Sequence, residues 1–143
     1  MSINIHKYYS GIALAVACRA TCPRAHVGAV LISSRGEIIS SGYNGAPRKM
    51  LHCNETGCIL VNEKCVRTVH AELNCLLRAS TIEGCTMYVT HLPCYNCCNA
   101  IINVGVIGVY YIQEYEDALQ YEFQVSQQDL LRSSGVIIEK VVW

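Results

Sequence analysis

"CTMYVTHLPCYNCCNAIINVGVIGVYYI", residues 85–112, sets two apolar, β-rich runs around a helical one, and its reading decides the fold. "CTMYVT" (85–90) is a short strand. "PCYNCCNAIINVG" (93–105) opens on Pro93, a residue favoured near helix starts, and stops at Gly105. "VIGVYYI" (106–112) is a second buried strand, so the stretch is a strand–helix–strand unit.

The flanks extend that alternation. Residues 4–20 carry a roughly helical stripe at Ile5, Tyr8, Tyr9, Ile12, Ala15 and Val16, ending before Pro23. "VGAVLIS" (27–33) and "EIISSGYN" (37–44) read as strands joined by a tight turn at Gly36. Residues 68–80 regain helical spacing at Val69, Leu73, Leu76 and Leu77. A last helix within 117–133 and the strand "GVIIEKVV" (135–142) close the chain. The expected fold is α/β: a three-layer arrangement, one mixed five-stranded sheet with helices on both faces, in a single domain over 1–143. Residues 45–67 show neither period, and an aperiodic loop of that length needs something to hold it.

With 11 Lys plus Arg against 11 Asp plus Glu, no positive field exists to gather a phosphate backbone, which disfavours nucleic acid as a partner. Hydrophobic residues make up 52% and charged ones 15%, an apolar balance that points to a homo-oligomer. The first twenty residues lack the basic start and unbroken apolar core of a signal peptide, and no run of 18 apolar residues occurs. The expectation is a cytoplasmic protein with no membrane partner, in the host cytoplasm if the chain is viral. Ten cysteines are then thiols, metal ligands or small core residues rather than disulfides.

Cys94 and Cys97, three apart in the first turn of a helix, point to one side and can reach one ion, while Cys98 turns towards packing. "HAE" (70–72) supplies a neutral imidazole at His70, and Glu72, facing elsewhere, suits a proton carrier better than a ligand. A catalytic zinc keeps its fourth position for water, and with two thiolates on the metal that water needs an adjacent base. A closed structural zinc or a redox C-x-x-C would leave the carboxylate beside His70 without purpose. Cys22, Cys53, Cys58 and Cys65 form either a second, closed zinc site that holds the 45–67 loop, with His52 as a substitute ligand, or a set of small apolar residues; both readings stay open. Cys18, Cys75 and Cys85 sit in apolar patterns and read as core.

H-A-E followed by P-C-x-x-C resembles the signature of zinc-dependent nucleobase deaminases. Together with "TCPR" (21–24), "VGAVLIS", "GYNGAPR" (42–48), "RTVHAELN" (67–74), "EGCTMYVT" (83–90) and "LPCYNCCNAIINVGV" (92–106), the chain is similar to the deoxycytidylate deaminase family, especially its bacterial and phage members. The resemblance implies the cytidine-deaminase fold and hydrolysis of dCMP to dUMP and ammonia, feeding thymidylate synthesis. A zinc-activated water would attack C4, with Glu72 carrying protons to the ring nitrogen and the leaving amine. It further implies substrate contacts at Arg24, Asn44 and Tyr115. Effector contacts would fall at Gly42, Tyr43, Asn44, Gly45, Arg48 and Lys49. Control would come through dCTP with Mg2+ as activator and dTTP as inhibitor, in a homohexamer. Guanine, dCTP or tRNA adenosine deamination, or a non-catalytic zinc-stabilised binding module, are the competing readings.

Overall fold

The computed structural model describes residues 2–115 and 125–143. In chain order the elements are α1 (Ile5–Ala17), β1 (Gly28–Ile32), β2 (Ile38–Tyr43), α2 (Cys53–Thr56), β3 (Leu60–Val61), β4 (Lys64–Cys65), α3 (Ala71–Leu77), β5 (Thr86–His91), α4 (Tyr95–Asn103), β6 (Gly108–Gln113), α5 (Gln127–Ser133) and β7 (Ile137–Lys140). The main sheet runs β2-β1-β5-β6-β7. β1 pairs antiparallel with β2 and β5, while β5, β6 and β7 are parallel. This is the expected mixed five-stranded α/β sheet. Of the final helix expected within 117–133, residues 127–133 are α5, and the positions from 117 to 124 lie outside the described residues.

The period-2 alternation of the strands builds the layers. Ala29 and Leu31 of β1, Met87 and Val89 of β5, and Val109 and Tyr111 of β6 enter one core, with Cys75 of α3, Cys98 and Ile101 of α4 and Leu131 of α5. Val30, Ile32 and Tyr88, one register position away, enter the other with Tyr9 and Ala13 of α1. Among the described residues α1 therefore covers one face, and α3, α4 and α5 cover the other.

The face of α1 differs from the predicted stripe. Tyr9, Ala13 and Ala17 are buried, with Ile12 and Val16 packed beside them, whereas Ile5, Tyr8 and Ala15 point outward. Close approach decides this: a Cβ on Gly28 would collide with the Ala13 carbonyl and the Ala17 amide, so α1 sets its alanines against a glycine of β1. Cys18, expected in the core, is exposed at the end of this helix. On the opposite face Gly42 does the same for α3, where a Cβ would collide with the Ala71 carbonyl and the Cys75 amide.

The aperiodic stretch 45–67 is not without structure. It holds α2 and the hairpin β3–β4, whose two-residue turn places Asn62 at φ 50° and Glu63 at φ 65°, both in the left-handed region. Elements this short give no period to read.

Candidate active site

Two helix starts face each other. His70 is the N-cap of α3 and Cys94 the N-cap of α4, each in extended backbone, so both side chains leave the chain just before it coils. α4 follows the carboxyl end of β5 through Leu92 and Pro93, and α3 is tied to β2 by Asn74, whose amide donates to the Tyr43 carbonyl at 2.9 Å. Cys97, one turn into α4, is fully buried beneath Cys94.

Cys94 Sγ lies 3.5 Å and Cys97 Sγ 3.4 Å from His70 Nδ1. Zn–S bonds of about 2.3 Å and Zn–N bonds of about 2.0 Å at tetrahedral angles put such ligand atoms about 3.5 Å apart. The three residues therefore fit a zinc ion by distance as well as by donor chemistry, and all their ligand atoms fall within 4.8 Å of one another. The Cys94 thiol is lowered to about 4 by its contact with the Cys97 sulfur and by the His70 ring, against the burial that opposes it. Cys97 is correspondingly raised, and the Cys94 thiolate raises His70.

Glu72 is only 3% exposed although it opens the second position of α3. Its Oε2 accepts the Cys97 S–H at 3.6 Å, and burial raises its pKa. The carboxylate thus borders the ligand set without belonging to it. Cys98 is buried with its S–H directed to the Pro93 carbonyl at 3.5 Å, away from the ligand set, as its place in the helix predicts.

The second cysteine group also converges. Cys22, Cys53, Cys58 and Cys65 bring their sulfurs within 4.8 Å of one another, with 3.7 Å between Cys22 and Cys58 and 3.5 Å between Cys53 and Cys65. A tetrahedral zinc places two sulfurs about 3.8 Å apart, so these four also fit one ion. Against the burial that opposes it, the backbone of Arg67 and the S–H of Cys53 lower Cys65 to about 6, while burial raises Cys53. His52 stands aside from the sulfurs. Its Nδ1 accepts from the Thr21 hydroxyl at 2.9 Å and the Ala46 amide at 3.2 Å, pinning the 45–52 segment.

Asn44 is buried, its Oδ1 accepting from the Val27 amide at 2.8 Å and its Nδ2 donating to the Ala25 carbonyl at 2.7 Å. One N–H and one lone pair of its carboxamide remain. The amides of Asn44 and Gly45 donate to the Val27 and Val69 carbonyls, and Gly42 faces α3, so at these positions the close approach is made by protein backbone. Arg48 and Lys49 are exposed in the turn closed by the Met50 amide on the Pro47 carbonyl, with Lys49 at φ 69°. Arg24 donates to the Glu63 carbonyl at 2.7 Å, anchoring the β3–β4 turn.

Tyr115 lies two residues beyond β6, with its ring stacked on His91 at 4.8 Å between centroids. Burial raises its hydroxyl pKa, and the charges of Glu72 and Cys94 raise it further. His91 itself escaped the sequence reading, as did Gln113. The readable signal was the polar pair Thr90–His91 ending an apolar strand three residues before Cys94.

The family model of the cytidine and deoxycytidylate deaminase zinc-binding region matches residues 3–113. ComE operon protein 2 of Bacillus subtilis (strain 168) is 36% identical over 143 residues, 97% of this chain and 72% of that protein. The deoxycytidylate deaminase of Mycobacterium phage D29 is 38% identical over 122 residues, 76% of this chain and 94% of the phage protein. The dCMP deaminase of cyanophage S-TIM5, solved in complex with dCMP and dUMP, matches with a TM-score of 0.80 at 30% identity and 99% coverage of both chains. The matched span takes in His70, Glu72, Cys94 and Cys97 together, and by it this chain belongs to the cytidine and deoxycytidylate deaminase family and is a deaminase enzyme.

Proposed function

We propose that residues 1–143 form a single deaminase domain that hydrolyses dCMP to dUMP and ammonia. The observation that carries this reading is the buried Glu72 carboxylate set against the converging His70, Cys94 and Cys97 side chains. The substrate is taken from the relatives, deoxycytidylate deaminases by name, and from the S-TIM5 enzyme held with dCMP and dUMP.

Zinc in the ligand group would supply the Lewis acidity that lets water lose a proton near neutral pH. His70 Nδ1 and the Cys94 and Cys97 sulfurs would hold it there. Glu72 takes the two protons of the attacking water in turn, passing the first to the ring nitrogen beside C4 and the second, from the hydroxyl then bonded to C4, to the amine as it leaves. Enclosure by α3 and α4 keeps bulk water from the Glu72 carboxylate, so the proton it carries returns to the substrate.

Cys22, Cys53, Cys58 and Cys65 hold a second, structural zinc that secures residues 45–67. Arg24 meets the substrate phosphate, the remaining N–H of Asn44 serves the sugar or base, and Tyr115 stacks on the pyrimidine. Control by dCTP with Mg2+ and by dTTP acts through "GYNG" (42–45) with Arg48 and Lys49, the two exposed cations of the adjoining turn, in a cytoplasmic homohexamer. Such control requires an effector that binds two quaternary states unequally. Among the described residues no helix is long and apolar enough to cross a membrane.

Ammonia release from dCMP, dCTP, deoxycytidine and guanine tests the reaction. Turnover of dCMP above the others is expected, and preference for guanine would replace this substrate. Rates at subsaturating dCMP with dCTP, with dTTP and with neither, in Mg2+, test the control. Three equal rates from protein of established oligomeric state would remove the effectors and leave the chemistry.

A further inference from the structure

β5 and β6 are parallel neighbours, with His91 and Gln113 in register at their carboxyl ends, the end of a parallel sheet where ligands bind. Cys94 follows three residues after His91, and Tyr115 two after Gln113, so this corner of the sheet adjoins the ligand group. Both nitrogens of the His91 ring are engaged. Gln113 Nε2 donates to His91 Nε2 at 2.6 Å, which makes that nitrogen the acceptor. The proton therefore sits on Nδ1, which donates to Thr90 Oγ1 at 2.9 Å. Thr90 is buried, and its oxygen also accepts the Gly28 amide at 3.2 Å, joining the ring to the start of β1.

A histidine so close to a catalytic centre invites an acid–base role, and the bonding argues against it. An imidazole whose two edge positions are both occupied by neutral protein groups has only its faces to offer. One face is taken by Tyr115, whose ring packs on it with an interplanar angle of 29°. Burial lowers the pKa of His91, in keeping with a ring held neutral.

We propose that His91 is a positioning residue: fixed by Gln113 and Thr90 as the Nδ1–H tautomer, it is the platform that seats the Tyr115 ring at the edge of the deaminase site, where it sets affinity for the pyrimidine nucleotide and takes no part in proton transfer. This rests on the dCMP reading above for the substrate, and on the observed geometry alone for the platform. Removing the His91 ring takes away the face on which Tyr115 packs, so part of the cost of orienting the tyrosine would then fall to substrate binding.

The test is steady-state dCMP deamination by zinc-loaded His91→Ala, His91→Phe and Gln113→Ala beside the wild type. A second arm records the 19F spectrum of each protein with 3-fluorotyrosine at position 115. His91→Ala should raise KM roughly three- to ten-fold, the equivalent of one aromatic stack, with kcat within about two-fold and zinc content unchanged. His91→Phe keeps a ring and should recover most of the KM. Gln113→Ala frees the ring edge and should move KM the same way by less, which serves where His91→Ala fails to fold. The 19F resonance should shift towards that of free 3-fluorotyrosine in His91→Ala and return in His91→Phe. A kcat loss of about a hundred-fold or more in His91→Phe is the signature of a lost acid or base and would overturn the proposal. A resonance indifferent to His91→Ala would overturn it equally. If the wild type turns over no dCMP, the substrate reading fails, and the 19F arm still decides the platform.

Discussion

Oε2 of Glu72 and Sγ of Cys97 stand 3.6 Å apart, from two different helices, with Glu72 3% exposed and Cys97 fully buried. The contact places a carboxylate beside the His70–Cys94–Cys97 group, while His70, two residues earlier, turns its Nδ1 to the two sulfurs. Glu72→Gln keeps the shape of this contact and removes the proton acceptor. The expected outcome is unchanged zinc content with kcat lowered about 10²- to 10⁴-fold. Metal analysis and turnover on the same preparation check it; appreciable residual activity would remove Glu72 from the proton path, as the non-catalytic module reading requires.

Alanine at His70, Cys94 or Cys97 should abolish both zinc retention and deamination, because each leaves two ligands for a tetrahedral ion. Cys98→Ala should retain both, since its sulfur bonds to the Pro93 carbonyl and lies in the core. Its cost is a packing loss of about 1 kcal/mol, read from denaturant unfolding. A zinc-free Cys98→Ala protein would show that the ligand set has been assigned wrongly.

Metal analysis of protein purified without chelator should find two zinc ions per chain. Cys53→Ser should remove one of them and expose residues 45–67 to proteolysis, since α2 and the β3–β4 hairpin are too short to persist without a closed site. One zinc in the wild type, with that segment still protected, would return the four cysteines to ordinary packing.

What could be read in advance follows from how local each cause is. The strand–helix–strand unit and the His70, Glu72, Cys94 and Cys97 set were legible because period, punctuation and ligand spacing are properties of neighbouring residues. The faces of α1 and the orientation of Cys18 were not, because Ala13 and Ala17 are drawn in by Gly28, a glycine in a different element. Asn44 was read as a substrate and effector contact, and its carboxamide bonds to Ala25 and Val27, a pairing made by the fold, were not legible. His91 and Gln113 meet only through the β5–β6 register, which no local pattern displays.

Gly42 gives that lesson a measurable form. Gly42→Ala drives a methyl into the Ala71 carbonyl and the Cys75 amide, and neither backbone atom can yield without lifting α3 from β2. The expected loss is about 3 kcal/mol in stability, the upper end of overpacking. Because α3 carries His70 and Glu72, zinc affinity should weaken with it. Gly84→Ala is the control, since nothing lies within 4 Å of a Cβ there and only its positive φ of 80° resists the change. It should cost less and leave zinc binding intact. Equal losses of zinc in both variants would mean that α3 is not held to the sheet through Gly42.

The pH dependence of folding tests the state of the His91 ring. Burial lowers its pKa below the ordinary value near 6.5, so between the two values the unfolded chain binds a proton that the folded chain refuses. Stability from this residue is therefore complete above about pH 6.5 and declines as the pH falls towards the folded pKa, below which the loss is constant. The groups around the ring are the neutral Thr90, Gln113 and Tyr115, with Glu72 and Cys94 acting on the Tyr115 hydroxyl beyond. Other groups titrate over the same range, so the quantity to measure is the difference between wild type and His91→Phe in denaturant midpoint from pH 8 to pH 5. The wild type should lose more stability than His91→Phe on acidification, with the divergence beginning near pH 6.5. Divergence in the opposite sense would mean that the folded protein favours the imidazolium, and the Gln113 amide would then have to be turned so that its oxygen accepts from Nε2.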